Sequence, residues 1–504
     1  MSIAAGERNM TSPGAMAALF GLAVILAIGI VASAKLAIFG LIGALFFVFF
    51  LMYPVLGLYA TTVLLLLQGA SGVLSLVNET APMAITLATL GGAAAISAWI
   101  ANVLVRKAGI MLNWPMLIMA GFIAWALFCT VLGVNLESGL PHWARLAVRF
   151  AYFVFAINVL NTRTNIQYFV VTILFCSFLM AGSGVVQYFM PSLQVTAAQA
   201  IGGVGTGGGA FVDTESLQGE AAIRVSGRAG HSNWLAMILL IVLPLNYFWM
   251  SLAKTKRTKL LVWAAVITEV TALVLTFTRT GLVIGVVIAF LFLMRGLVRV
   301  TPMRVFAVLG LMAMGWLALP GPYKERVLNF SMYTSSKSVS SRLELQKAAA
   351  RYTVENPVTG LGIGGFGEEF VHEGNETSTT MRYMVFHNGW QAIFIGTHNM
   401  YLQITADTGL VGLALYICFF AMLLNRMFAL RRHYKAEGDL LGGTLTDTTL
   451  IAQIAFLVCA IFLHALHQEI WWMLVALGVA LTQYKIDFKG PLPKWGISTE
   501  AHRA

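Results

Sequence analysis

The chain of 504 residues is 59% hydrophobic and only 11% charged, with a formal net charge of +11. Such a composition excludes a soluble multidomain protein, and long apolar runs assign the chain to a bilayer. The basic excess would suit nucleic acid, but the Lys and Arg residues cluster in short loops between apolar runs, where the positive-inside rule places them, so no nucleic-acid partner is expected.

A helix needs about 20 apolar residues to cross the hydrocarbon core, and by that measure the sequence predicts an all-α membrane protein with about 14 crossings. The opening MSIAAGERNMTSPG lacks a small-residue cleavage site, so the first run, near 15–33, reads as a retained helix. Runs near 37–52, 54–68 and 82–105 follow, the last ending at Arg106 and Lys107. The fifth and sixth lie near 115–133 and 144–160. The seventh, near 165–190, empties into a Gly-rich segment, Pro191 to Ser232. An eighth, near 233–251, ends in the basic cluster 253–259. Only the turn Thr278-Arg279-Thr280-Gly281 separates the ninth, near 260–278, from the tenth, near 281–296. An eleventh, near 303–320, delivers the chain to its largest polar segment, Gly321 to His398, where Ser341-Arg342-Leu343-Glu344 has the form of a capping box that would start a surface helix and Asn356-Pro357 would stop it. The twelfth, near 399–423, is entered through THNMYLQITADTGLVGL, Thr397 to Leu413, and runs into a basic cluster at 426–435. Two more, near 449–466 and 470–484, flank HALHQEI, His464 to Ile470.

With a cytoplasmic N-terminus, alternation puts every basic cluster inside. Both long polar segments, the Arg279 turn and the His464 turn then share the external face. The chain divides into N-terminal helices (1–190), an external Gly-rich loop (191–232), central helices with the Arg279 turn (233–320), a large external loop containing short helices (321–398), C-terminal helices (399–484) and a cytoplasmic tail (485–504).

An arginine at membrane level is costly unless it faces a cavity or an anion. Arg279 is the sharpest case, because its guanidinium fork stays charged and grips phosphate oxygens in pairs, which suits a diphosphate leaving group. Snorkelling to lipid headgroups is the plainer alternative. Arg224 and Arg228 stand four apart before the eighth helix, with Gly227 and Gly230 allowing close backbone approach, and carry the same two readings. Arg145 and Arg149 share one face at the entry of the sixth helix, where headgroup contact is the expectation. His398 sits at the mouth of the twelfth helix. Its imidazole can act as general base on an acceptor hydroxyl or, protonated, hold phosphate, with Asn399 and Tyr401 as supports and Asp407 as a buried hydrogen-bonding group. GLGIGGFG, Gly360 to Gly367, follows no strand of a β-α-β unit, so no nucleotide cofactor is expected. Six external histidines (His231, His372, His387, His398, His464, His467) form no H-E-x-x-H pair. The four cysteines, Cys129, Cys176, Cys418 and Cys459, form no C-x-x-C pair, and no metal is expected.

RVSGRAGHSNWLA, TFTRTG, SRLELQKAAARYTVENPVTGLGIGGFG and HNMYLQITADTGLVGL together resemble the bacterial O-antigen ligase and O-antigen polymerase superfamily over about residues 220–415. The resemblance implies a multi-pass glycosyltransferase of the bacterial inner membrane with its active face in the periplasm. It would take a glycan from undecaprenyl diphosphate without metal or nucleotide, for O-antigen or exopolysaccharide synthesis. It implies that Arg224, Arg228 and Arg279 hold the diphosphate and that His398 serves the acceptor hydroxyl. Asp407 stands where relatives often carry Glu. Partners would be the lipid-linked oligosaccharide, a glycan or lipid A-core acceptor, the bilayer and a chain-length regulator.

A ligase acting on a phosphate-rich lipid A-core calls for a basic acceptor surface. Gly321 to Thr397 instead balances seven Lys/Arg against seven Glu, which leans towards a repeat-unit polymerase. A protein O-oligosaccharyltransferase is disfavoured by the short tail. An anion transporter is disfavoured by membrane segments almost free of charge.

Overall fold

The computed structural model describes residues 34–67, 87–106, 109–190, 212–217, 220–229, 231–297, 337–377, 396–464 and 466–488. Among the described residues nine helices come first: α1 (Ala34–Met52), α2 (Pro54–Leu67), α3 (Leu87–Arg106), α4 (Trp114–Leu132), α5 (Leu136–Val159), α6 (Arg163–Phe189), α7 (Ser232–Leu252), α8 (Lys256–Leu275) and α9 (Arg279–Met294). They are followed by α10 (Lys337–Glu355), α11 (Gly365–Thr377), α12 (Met400–Glu437), α13 (Leu440–Cys459) and α14 (Glu469–Tyr484). All but α10 and α11 coincide with expected apolar runs. The runs near 15–33 and 303–320 lie outside the described residues. Among those residues, α4, α6, α7, α8, α12 and α13 are long and apolar enough to cross a membrane.

Three corrections follow. A hairpin of β1 (Val212–Leu217) and β2 (Glu220–Val225), antiparallel with Val212 opposite Val225, lies within the segment read as a Gly-rich loop and modifies the all-α expectation. Its β2 end is anchored by apolar contact, since Val225 is buried beside Gly184 of α6. Helix α10 already runs from Lys337, so Ser341 lies inside it and does not start it. Finally, α12 extends past the expected end through Arg426 to Glu437 and stops at Gly438 in the left-handed region.

The chain forms two compact units. In the first, α1, α2 and α3 pack together. Asn102 donates to the Leu51 carbonyl at 2.7 Å, satisfying a backbone group at the α1 end just ahead of Pro54. The second holds α4 to α14. Asn113, Thr162, Asn399 and Asp439 cap α4, α6, α12 and α13 by accepting backbone N–H groups. Around α12, Tyr416, Phe419, Phe420, Trp471, Trp472 and Phe153 form an aromatic core, with the Trp471 and Trp472 rings 4.3 Å apart. Outside it, α7 packs on α13, α4 on α12, and α6 on α8.

Helix α12 is broken at Gly409 (φ 67°, ψ −174°), and the Gly-rich stretch 357–365 fills the break. Leu361 N and Gly362 N donate to the carbonyls of Ala406 and Asp407 at 2.8 and 2.9 Å, Leu410 N donates to Pro357 O at 2.8 Å, and Trp125 Nε1 reaches Thr408 O at 2.9 Å. Glycine is required on both sides: a Cβ on Gly409 would lie 2.0 Å from Val358 O, and one on Gly360 2.6 Å from Ala406 O. Leu345, Ala349, Tyr352, Phe366 and Ala406 close a small core over this clasp, so α10 and α11 are docked on the start of α12.

Candidate functional site

His398 occupies a corner directly before the cap of α12. Its backbone is left-handed at φ 52°, a conformation that is costly for a residue with a side chain. Thr397 Oγ1 donates to Asn399 O at 2.5 Å and accepts from Asn399 N, closing the corner. Asn399 is taken up in capping, accepting from Tyr401 N and Leu402 N, and the Tyr401 hydroxyl donates to Leu457 O at 2.8 Å. Both expected supports therefore fix the backbone of the corner. Gln403 links that corner to the clasp: its Oε1 accepts from Thr397 N at 2.9 Å and its Nε2 donates to Asp407 Oδ2 at 2.9 Å. Asp407 also accepts from Phe366 N, the buried structural role expected of it.

The imidazole of His398 packs edge to face on His464, ring centroids 5.5 Å apart. Its Nδ1 is buried and has no hydrogen-bond partner among the described residues. Burial, then the charge of Arg342, then His464 and His231 push its pKa down to about 4, so the ring is neutral at neutral pH. His464 is likewise lowered to about 4 by burial and by His231. His231 caps α7, its Nδ1 accepting from Asn233 N at 3.1 Å.

Arg279 is the first residue of α9 and lies half-buried, two residues after Phe277, which also has positive φ (49°). Thr278, the cap residue, makes no side-chain cap bond. It lines a cleft with Thr280, Gly281, Ile284, Asn233, Ala236, Met237, Arg342, Cys459, Phe462 and Leu463. The starts of α7 and α9, the end of α13 and Arg342 of α10 thus share one hollow, and the same Arg342 faces His398. Helix N-termini present unbonded N–H groups and a partial positive charge, so two of them beside a guanidinium make a surface for an anion.

Arg224 lies on β2 opposite Asp213 and Arg228 in a 3-10 turn (Gly227–Ala229). Their side chains fall outside the described residues. The adjoining backbone is fixed over α6, where Gln187 Oε1 accepts from Ser226 N and Gly227 N. Arg149 pairs with Glu469 of α14 at 2.6 Å and donates to the backbone carbonyl of Arg145, so Arg149 has protein partners where headgroup contact was expected. Together with His142, these arginines face His467, whose pKa is pushed well down by burial and then by their charge.

Arg342 and His464 were missed as site residues. Arg342 was read only as part of a capping box. His464 was visible as an external histidine in a short polar turn, a usable signal. Among the described residues no three His, Cys, Asp or Glu side chains are arranged to hold a metal.

Residues 260–417 match the family model described as O-antigen ligase. No curated protein matches the chain. The matched segment spans α8 to the broken start of α12, including Arg279, Arg342, the clasp and His398, while Arg224 and Arg228 lie outside it. The six long apolar helices among the described residues of the chain are those of a multi-pass membrane protein. Over the matched segment the chain is similar to the O-antigen ligase family, in keeping with the superfamily that its motifs resemble.

Proposed function

We propose that this protein is a bacterial inner-membrane glycosyltransferase acting at the periplasmic face on an undecaprenyl diphosphate-linked oligosaccharide. The observation that carries the reading is the half-buried imidazole of His398, whose Nδ1 has no partner among the described residues and whose neighbour Arg342 also lines the cleft formed with Thr278, Thr280 and Gly281 of the Arg279 turn. The acceptor O–H gives its proton to His398 while its oxygen forms a bond to the anomeric carbon. The bond from that carbon to the diphosphate breaks, and its electron pair leaves with the lipid diphosphate. Arg279, with Arg224 and Arg228, grips the leaving group, and a preorganised clamp of this kind lowers the barrier by meeting charge as it develops. Donor binding also brings negative charge towards His398 and makes it a stronger base.

Repeat-unit polymerisation is the favoured acceptor chemistry, because the balanced charge of Gly321 to Thr397 offers no basic platform for a phosphate-rich core. Ligation to lipid A-core is the second reading, favoured by the description of the matched family. An anion transporter would expose broken-helix carbonyls to its ion, whereas those of Ala406, Asp407 and Thr408 are bonded within the protein.

The test is reconstitution in liposomes with a lipid-diphosphate oligosaccharide and acceptor. Glycan transfer with release of the lipid diphosphate is expected. Anion uptake without transfer would refute the reading.

A further inference from the structure

His464 is held from three directions. The Trp234 indole stands edge-on to it at 88°, centroids 5.4 Å apart. Gly396 leaves the space the ring occupies, since a Cβ there would lie 2.8 Å from the imidazole. His398 contacts it at 5.5 Å and 73°. Gly396 and His398 belong to one short stretch, so the chain that carries the base also shapes the seat for His464.

We propose that His464 is a positioning residue for His398, its ring seated against Trp234 and Gly396 so as to fix the orientation of the His398 imidazole and shield it from water. This rests on the reading of His398 as the base, and His464 itself exchanges no proton with the substrate.

The surroundings make the role specific. His398 is faced by Arg342 from α10, by His464 from the turn between α13 and α14, and by His231 ahead of α7. His464 is faced by His231 and His398. His467, on the far side, is faced by Arg149, Arg145 and His142 of α5 and by His464. Of the groups that face His398, Arg342 opposes a proton on it by charge at neutral pH, and the two imidazoles add to this only as they themselves protonate. Removing the His464 ring admits water and removes one of those neighbours, so the His398 pKa rises towards that of an ordinary histidine.

The experiment compares wild type, His464→Gln, Gly396→Ala and His398→Ala as full-length protein in liposomes, with a lipid-diphosphate oligosaccharide donor, from pH 4 to 8. For His464→Gln, kcat falls about ten-fold, donor KM stays within about two-fold, and the acidic limb of kcat/KM moves up by about one pH unit. Gly396→Ala, which retains every titratable group, lowers kcat by displacing the ring. A His464→Gln enzyme with unchanged kcat and limb overturns the proposal. So does a loss of activity with the limb unmoved, which marks a merely structural residue. If His464→Gln fails to accumulate in the membrane, Gly396→Ala decides: wild-type kcat in that variant overturns the role. Transfer by His398→Ala would instead overturn the base assignment itself, whatever His464 does.

Discussion

The clasp at Gly409 and the corner at His398 lie on the same broken start of α12, yet they are built on opposite terms. In the clasp, glycines take the left-handed conformations (Gly360, Gly362, Gly364, Gly409), and the carbonyls freed by the break are all bonded. At the corner and at the Arg279 turn, left-handed backbone falls instead on His398 and Phe277, the His398 Nδ1 lacks a partner among the described residues, and Thr278 leaves its helix without a side-chain cap bond. A chain that only has to turn uses glycine and saturates its polar groups. Strain on residues with side chains, and at the corner the unbonded Nδ1 of His398, are what the proposed ligand site would account for.

The sharpest way to break this contrast is at the Arg279 turn. Arg279→Ala should lower transfer by about 10²–10³-fold with the folded protein equally stable, and Arg279→Lys should recover part of it, as a point charge without the fork. Rates on purified protein and thermal unfolding in detergent check both. Gly409→Ala should show the reverse pattern. Its Cβ would fall 2.0 Å from Val358 O, and the clasp should lose about 3 kcal/mol or more, while the molecules that do fold keep their turnover. Asp407→Asn probes the link between the regions. An asparagine has one acceptor oxygen where the carboxylate has two, so it can accept from Gln403 Nε2 or from Phe366 N but not from both, and turning Gln403 over would set its own amide against Thr397 N, so one bond is lost either way. A loss of about 1–2 kcal/mol with a smaller fall in kcat is expected. The smallest effect should come from Arg149→Gln, since the partly exposed pair with Glu469, at 22% and 27% side-chain exposure, contributes about 1 kcal/mol to unfolding.

Much of this was legible before any coordinates. Apolar run length gave the helices because a crossing needs a fixed span, and Arg279 and His398 stood out as polar groups at helix mouths. What was hidden depends on distance along the chain. GLGIGGFG reads as a loop until its N–H groups are seen closing the break at Gly409, some 45 residues on. Arg342 looked like one basic residue on a surface helix, and only the docking of α10 brings it to His398. The β-hairpin was masked by the glycines around it, which lower strand propensity over the whole segment.

The most direct test is a single-turnover assay in which purified wild type and His398→Ala, matched for thermal stability and donor binding, receive one equivalent of lipid-diphosphate oligosaccharide and excess acceptor. A fall of about 10²-fold or more in the rate of glycosidic bond formation, with donor still bound, is expected. Transfer at the wild-type rate by His398→Ala would contradict the assignment of this imidazole to the chemistry.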